Sequence, residues 1–212
     1  MPVFPISLEL TGRKCLVVGA GSVGLRKVQN LLACLATVTV VAPAACAEIL
    51  ALDRRGEITY LAREYEPGDI QGCALVFAAT SLRSCNEAVY WDCKTAGVPI
   101  NVVDDPEHCT FTVPAVVRRG SLTLAIATDG KSPILARRLR ERLEQEIGPE
   151  YGTYLELLGT ARETVRNRFE QESQRKAVLE AVTALEVMDL IRQGQIETAR
   201  ERMLECIFSW LD

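Results

Sequence analysis

Apolar residues follow two rhythms along this chain. Between residues 14 and 104, short β-rich runs alternate with stretches of helical spacing. CLVVG, TVTVVA (37–42), ITYLARE (58–64), CALVFAAT (73–80) and PINVVD (99–104) read as strands. After CLVVG, a helix is predicted from Ser22 to Leu35, with Val23, Val28, Leu31, Leu32 and Leu35 along one face. Further helices are predicted over 44–55 and 83–96. Strands joined by helical crossovers predict an α/β fold, a Rossmann-like doubly wound parallel sheet.

The pattern changes after Cys109. FTVPAVVRRG and SLTLAIAT flank Gly120-Ser121, which reads as a hairpin of antiparallel strands. Ser132-Pro133 reads as an N-cap with proline at the first helical position, and the helix it opens should stop at Gly148-Pro149. Beyond, Tyr154, Leu158, Ala161, Val165 and Phe169 make one helical stripe. Val178, Val182 and Leu185 begin a second, ended by Gly194, and Ile196, Ala199, Met203, Ile207 and Leu211 make a third. Three parts are expected: an α/β domain over 1–112, a small α+β region of hairpin and helix over 113–148, and a helical domain over 149–212.

The first strand runs into GAGSVG, with Gly19, Gly21 and Gly24 in the spacing GxGxxG. Gly19 would permit the tight turn, Gly21 would let the backbone approach a pyrophosphate, and Gly24 would let the helix pack on the strand. The helix N-terminus would offer free N–H groups and positive partial charge to the phosphates. The plain alternative is a structural turn. One feature departs from the dinucleotide fingerprint. An acidic residue for the ribose hydroxyls belongs at the end of the second strand, but Val41-Ala42-Pro43 stands there and the next acid is Glu48. No arginine stands there for a 2′-phosphate, so backbone groups around Ala42 and Pro43 would have to serve, and spacing alone leaves NAD and NADP open.

Composition narrows the class. Apolar residues make up 48% and charged residues 25%, as in an ordinary globular protein, and the net charge of -4 argues against a general nucleic-acid role. No apolar run is long enough to span a bilayer, and the N-terminus lacks the pattern of a signal peptide, so a cytoplasmic protein is expected. Eight cysteines form no CxxC pair and fall largely within apolar segments, where reduced, buried thiols are expected and no metal site.

With these motifs in view, FPISLELTGRKCLVVGAGSVGLRKV resembles the opening of precorrin-2 dehydrogenases, the dehydrogenase module of siroheme synthases. VTVVAP (38–43), NVVDDP (101–106), FTVPAVVRRGSLTLAIAT (111–128) and SPILARRLRERLE (132–144) are similar to the family in the same order. The resemblance implies oxidation of precorrin-2 to sirohydrochlorin, with hydride passed to NAD and a proton lost. It also implies NAD as cofactor, because VVAP stands at the same place in relatives that use NAD, and a homodimer built on residues 113–212. Some members insert ferrous iron as well, so a bifunctional enzyme is the alternative; a non-catalytic NAD-sensing domain is a distant one. The methyltransferase domain that follows this module in larger siroheme synthases is not expected within these 212 residues.

Asp104 is expected to end the fifth strand and face the crevice at the carboxyl ends of the strands, where ligands of open α/β sheets bind. By resemblance it matches the family's active-site aspartate, and a carboxylate there could take the proton as hydride leaves. Alternatively, Asp104-Asp105-Pro106 is only a turn. The positions expected to hold the cofactor are Gly19, Gly21, Ser22, Val23, Gly24, Ala42, Pro43 and Thr80. Thr128, Gly130, Lys131 and Ser132, between a strand end and a helix start, are expected to border the substrate. Arg118, Arg119, Arg137, Arg138, Arg140 and Arg142 could clamp substrate carboxylates or form a solvated helix face. His108, the single histidine, is expected to be incidental.

Overall fold

The computed structural model describes residues 3–211 and divides into two compact units, Met1–Val113 and Pro114–Asp212. In the first unit, β1 (Lys14–Ala20), β2 (Thr37–Ala45), β3 (Thr59–Leu61), β4 (Leu75–Ala78) and β5 (Ile100–Val102) form one parallel sheet in the order β3-β2-β1-β4-β5. The order reverses direction at β1, which makes the edge beyond β1 and β4 a switch point where a crevice opens. Helices α1 (Ser22–Leu32), α2 (Ala47–Arg54) and α3 (Arg83–Ala96) supply the crossovers.

The strand residues show why both faces are covered. In β1, Cys15 and Val17 join a core with Val28, Leu31, Ile49 and Leu52, while Leu16 and Val18 join a second core with Val76, Val89, Tyr90 and Cys93. Strand side chains alternate faces, so a continuous apolar run demands a layer on each side. The cysteines are part of this packing. Burial pushes the Cys15 thiol up to about 11 and that of Cys93 up to about 12, which keeps both protonated and unreactive.

Several boundaries differ from the sequence expectation. Helix α1 stops at Leu32 rather than Leu35, because Leu35 turns into the left-handed region at φ 57°. Strand β2 continues to Ala45, so α2 begins at Ala47 rather than 44. Ala45 pairs with Ala20 after a bulge, and the N–H of Cys46 donates to the Ala20 carbonyl at 3.0 Å. That tertiary pairing outweighs the helix propensity of the two alanines. Strand β5 ends at Val102, two residues before Asp104.

In the second unit, β6 (Ala115–Arg119) and β7 (Leu122–Ile126) form an antiparallel hairpin with Arg119 opposite Leu122. Gly120 takes φ 55° in the two-residue turn, the left-handed conformation such hairpins require. Five helices follow: α4 (Pro133–Glu146), α5 (Glu150–Arg168), α6 (Glu172–Thr183), α7 (Met188–Arg192) and α8 (Ile196–Phe208). The predicted stripes become one core, in which Ala161, Val165, Val178, Val182, Met203 and Ile207 are buried, except that Leu211 lies past the end of α8 and is exposed. The second stripe is split, since α6 ends at Thr183 and α7 is a separate short helix closed by Gly194 at φ 77°. Among the described residues no helix is long and apolar enough to cross a membrane.

Candidate functional site

The glycine loop occupies the turn from β1 into α1, and its three glycines have different neighbours. Gly19 sits at φ 110°, and a Cβ there would stand 2.5 Å from the Ala79 carbonyl oxygen. A Cβ on Gly24 would stand 2.1 Å from the Gly19 carbonyl oxygen, so the helix can pack this close only without a side chain. Gly21 differs: it is the N-cap of α1, it has ordinary φ of -84°, and a Cβ there would meet nothing within 4 Å. The chain thus has steric reasons for Gly19 and Gly24 and none for Gly21. Space kept clear before the first turn of a helix suits an anionic group from outside the protein. Ser22 and Val23 open that first turn, which carries no acidic side chain and no side-chain cap. These residues fit the pyrophosphate of a dinucleotide.

At the end of β2, Ala42 is buried and Pro43 exposed. Pro43 has no N–H to give, and the Ala42 carbonyl already accepts from the Tyr60 hydroxyl at 2.8 Å. The backbone here has less to offer a ribose than the sequence suggests.

Thr80 follows β4, and its polar groups are taken. Its N–H donates to Asn86 Oδ1 at 3.3 Å, its carbonyl accepts from Asn86 Nδ2 at 3.0 Å, and its hydroxyl lies 2.8 Å from Asn86 Oδ1. The N–H of Leu82 donates to the same hydroxyl at 3.1 Å.

Asp104 lies in the turn that leaves β5, at φ 59°. The N–H of Val103 donates to the Ala78 carbonyl at 2.9 Å, extending the ladder by one residue before the chain turns. Asp104 is exposed, and no hydrogen bond or ion pair engages its carboxylate among the described residues. Asp105, next to it, is engaged: Oδ2 lies 2.7 Å from Nδ1 of His108, whose hydrogen bond holds the Asp105 carboxyl below its ordinary range. The His108 ring packs edge-on to Tyr90 at 4.4 Å between centroids. His108 is thus a fastener of the loop over 105–108. The two adjacent aspartates are unlike, one tied into the fold and one free.

A cleft of about 320 Å³ opens beside Asp104, lined also by Ser81, Arg83, Asn86, Val102, Val103 and Asp105. Because the strands are parallel, this cleft and the glycine loop lie at the same carboxyl edge of the sheet. Lys27 of α1 adds a half-buried ammonium 5.1 Å above the Phe77 ring. Burial, and then the charge of Arg26, lower its pKa below the ordinary lysine value, while Cys109 and Asp104 pull it back up. The sequence reading passes over Asn86 and Lys27. The signal for Asn86 is visible afterwards: it shares the buried stripe of α3 with Val89, Tyr90 and Cys93, a lone polar residue at an apolar position.

In the second unit, the residues expected near substrate form one turn. The Lys131 N–H donates to the Thr128 carbonyl at 2.8 Å, the Ser132 N–H to Thr128 Oγ1 at 3.3 Å, and Ser132 Oγ caps α4 by accepting from the Leu135 N–H at 3.2 Å. Gly130 supplies φ 75°. The basic stretch beyond is largely engaged. Arg137, Arg140 and Arg142 pair with Glu141, Glu144 and Glu146 four residues on, and Arg119 donates to the Ile147 and Glu144 carbonyls at the end of α4.

A sheet with this switch point and this glycine loop defines a nucleotide-binding protein. Residues 6–115 match the family model described as putative NAD(P)-binding, and the chain belongs to that family. Residues 119–146 match the sirohaem biosynthesis protein central region, and 150–207 the sirohaem synthase dimerisation region. The three matches follow one another in this order along residues 6–207, and the chain is similar over its length to one part of siroheme synthases. It is 39% identical over 212 residues to the siroheme synthase of Thioalkalivibrio sulfidiphilus, covering 100% of this chain and 43% of that one. It is 38% identical over 207 residues to the siroheme synthase of Methylobacillus flagellatus, covering 98% and 44%. The chain thus spans less than half the length of these relatives. Among solved structures, SirC, a precorrin-2 dehydrogenase, superposes with a TM-score of 0.77 at 25% identity, covering 98% of this chain and 100% of that one.

Proposed function

We propose that this chain oxidises precorrin-2 to sirohydrochlorin with NAD. The observation that carries the reading is the free carboxylate of Asp104, at the same sheet edge as a glycine loop whose central residue faces open space. NAD, when bound, accepts a hydride from the substrate. The chain's own residues do the rest. Gly21, Ser22 and Val23 present the open first turn of α1 to the pyrophosphate, and the tight packing of Gly19 and Gly24 holds that turn in place. Asp104 then takes the proton that the macrocycle loses as hydride departs; the bond to hydrogen breaks and its electron pair stays in the ring. One hydride and one proton leave, which balances a two-electron oxidation. A neighbour already bound to His108 would be a poorer proton acceptor, and this favours Asp104 over Asp105.

NAD is favoured over NADP because the segment Ala42–Cys46 offers no cationic side chain for a 2′-phosphate. The turn over Thr128–Ser132 is proposed to receive substrate carboxylates, with Lys131 as its charge. A homodimer is proposed on the second unit, and its match to a dimerisation region supports this. Its exposed apolar residues do too: Ile134, Leu135, Phe208, Trp210 and Leu211 are each 41–69% accessible. Two-fold pairing is the commonest way to cover such residues. Anaerobic mixing of precorrin-2, protein and NAD is the test. NADH and the sirohydrochlorin spectrum should rise together; no NADH at any protein concentration defeats the assignment.

A further inference from the structure

Asn86 is the buried polar residue of the core, only 9% accessible among the described residues. A buried amide is costly unless its groups are bonded, and Asn86 directs them to one place. Its Oδ1 accepts the Thr80 N–H, and its Nδ2 donates to the Thr80 carbonyl. The first of these bonds matters most. The Thr80 N–H belongs to the same planar peptide group as the Ala79 carbonyl. That carbonyl oxygen is the atom a Cβ on Gly19 would strike at 2.5 Å, with the Ala79 carbonyl carbon at 2.7 Å and Thr80 N at 3.0 Å behind it. One face of the peptide is therefore packed against the glycine loop while its N–H is gripped from α3. Rotating this peptide would move the wall on which Gly19 rests.

We propose that Asn86 is a positioning residue of the dinucleotide site, which orients the Ala79–Thr80 peptide and through it the glycine loop. The same bonds change what Thr80 can do. Its N–H, carbonyl and hydroxyl are committed to Asn86 and to its own turn, so Thr80 shapes the groove with its backbone rather than binding the cofactor through its hydroxyl. The inference rests on the dinucleotide reading above.

The experiment is calorimetric titration of NAD into wild-type protein and into Asn86→Leu, with melting temperatures measured alongside. Leucine keeps the volume and removes the bonds to the peptide. The expected result is a folded variant whose Kd for NAD rises about tenfold, the scale of one or two lost hydrogen bonds. Asn86→Ser, too short to reach the peptide and without risk of overpacking, repeats the measurement should the leucine variant fail to fold. A lower melting temperature with unchanged Kd in the folded variants would make Asn86 merely structural and overturn this inference alone. A wild-type protein that binds no NAD overturns the dinucleotide reading and this inference with it.

Discussion

Gly19 and Ala79 are in such close contact that no side chain fits between them: a Cβ on Gly19 would stand 2.5 Å from the Ala79 carbonyl oxygen. Gly21, two residues on, has open space instead. The two positions should therefore respond differently to substitution. Gly19→Ala must shift backbone and adopt φ near 110°, so it should cost stability, about 1–3 kcal/mol by the usual scale of backbone strain. Gly21→Asp should melt near wild type yet lose NAD binding, through clash and like-charge repulsion at the helix N-terminus. Thermal melts and NAD titration of both variants check the pair. Unchanged NAD affinity in Gly21→Asp would remove the pyrophosphate from this loop.

Asp104 and Asp105 provide the matching contrast at β5. Asparagine is among the residues that best tolerate the left-handed region, so Asp104→Asn should keep the turn at φ 59°. Its rate of NADH formation should nevertheless fall about 10²–10⁴-fold, the range for loss of a general base, with NAD affinity retained. Asp105→Asn should weaken the contact with His108 and lower stability, with much the smaller effect on rate. Turnover near wild type in Asp104→Asn would show that it is not the base.

Arg63 and Asp69 carry a pH-dependent part of the first unit's stability. The Asp69 carboxylate accepts from the Arg63 guanidinium at 2.6 and 2.9 Å and from the Glu66 N–H at 2.9 Å. The Arg63 hydrogen bond is the main reason its pKa is held below the ordinary value of 3.8. A carboxylate with a lowered folded pKa stabilises fully above its unfolded pKa, and that contribution is lost as pH falls through the folded one. Asp69→Asn should cost about 1–2 kcal/mol at pH 7, after allowance for the partial exposure of Arg63. The gap should begin to narrow below about pH 4 and close only as pH falls through the lowered folded pKa. Urea melts at pH 7 and at a series of pH values below about 4 measure it; a gap that does not narrow at all along that series contradicts the electrostatic origin.

The second unit should hold two chains together. Light scattering at micromolar concentration is expected to return twice the 23.3 kDa of one chain. Replacing exposed Ile134 and Leu135 of α4 by glutamate should leave the hairpin and the Val165–Met203 core intact while shifting the mass toward one chain. A wild-type mass of one chain contradicts the dimer.

The alternation of β-rich runs with helical spacing was enough to determine the parallel sheet. A strand such as CLVVG can bury both faces only between helical layers. The glycine spacing likewise pointed to the loop, and Gly120-Ser121 to the hairpin, because positive φ is a local demand that glycine answers. Tertiary structure decided what depends on partners distant in sequence. It drew β2 on to Ala45 by pairing with Ala20, and it separated Asp104 from Asp105 by giving only the latter a histidine. It also turned Asn86 from a polar break in the α3 stripe into the grip on Thr80. Hydrophobic periodicity records which face of an element is buried. It does not record which hydrogen-bonding groups meet there, because that pairing exists only once β4 and α3 have packed.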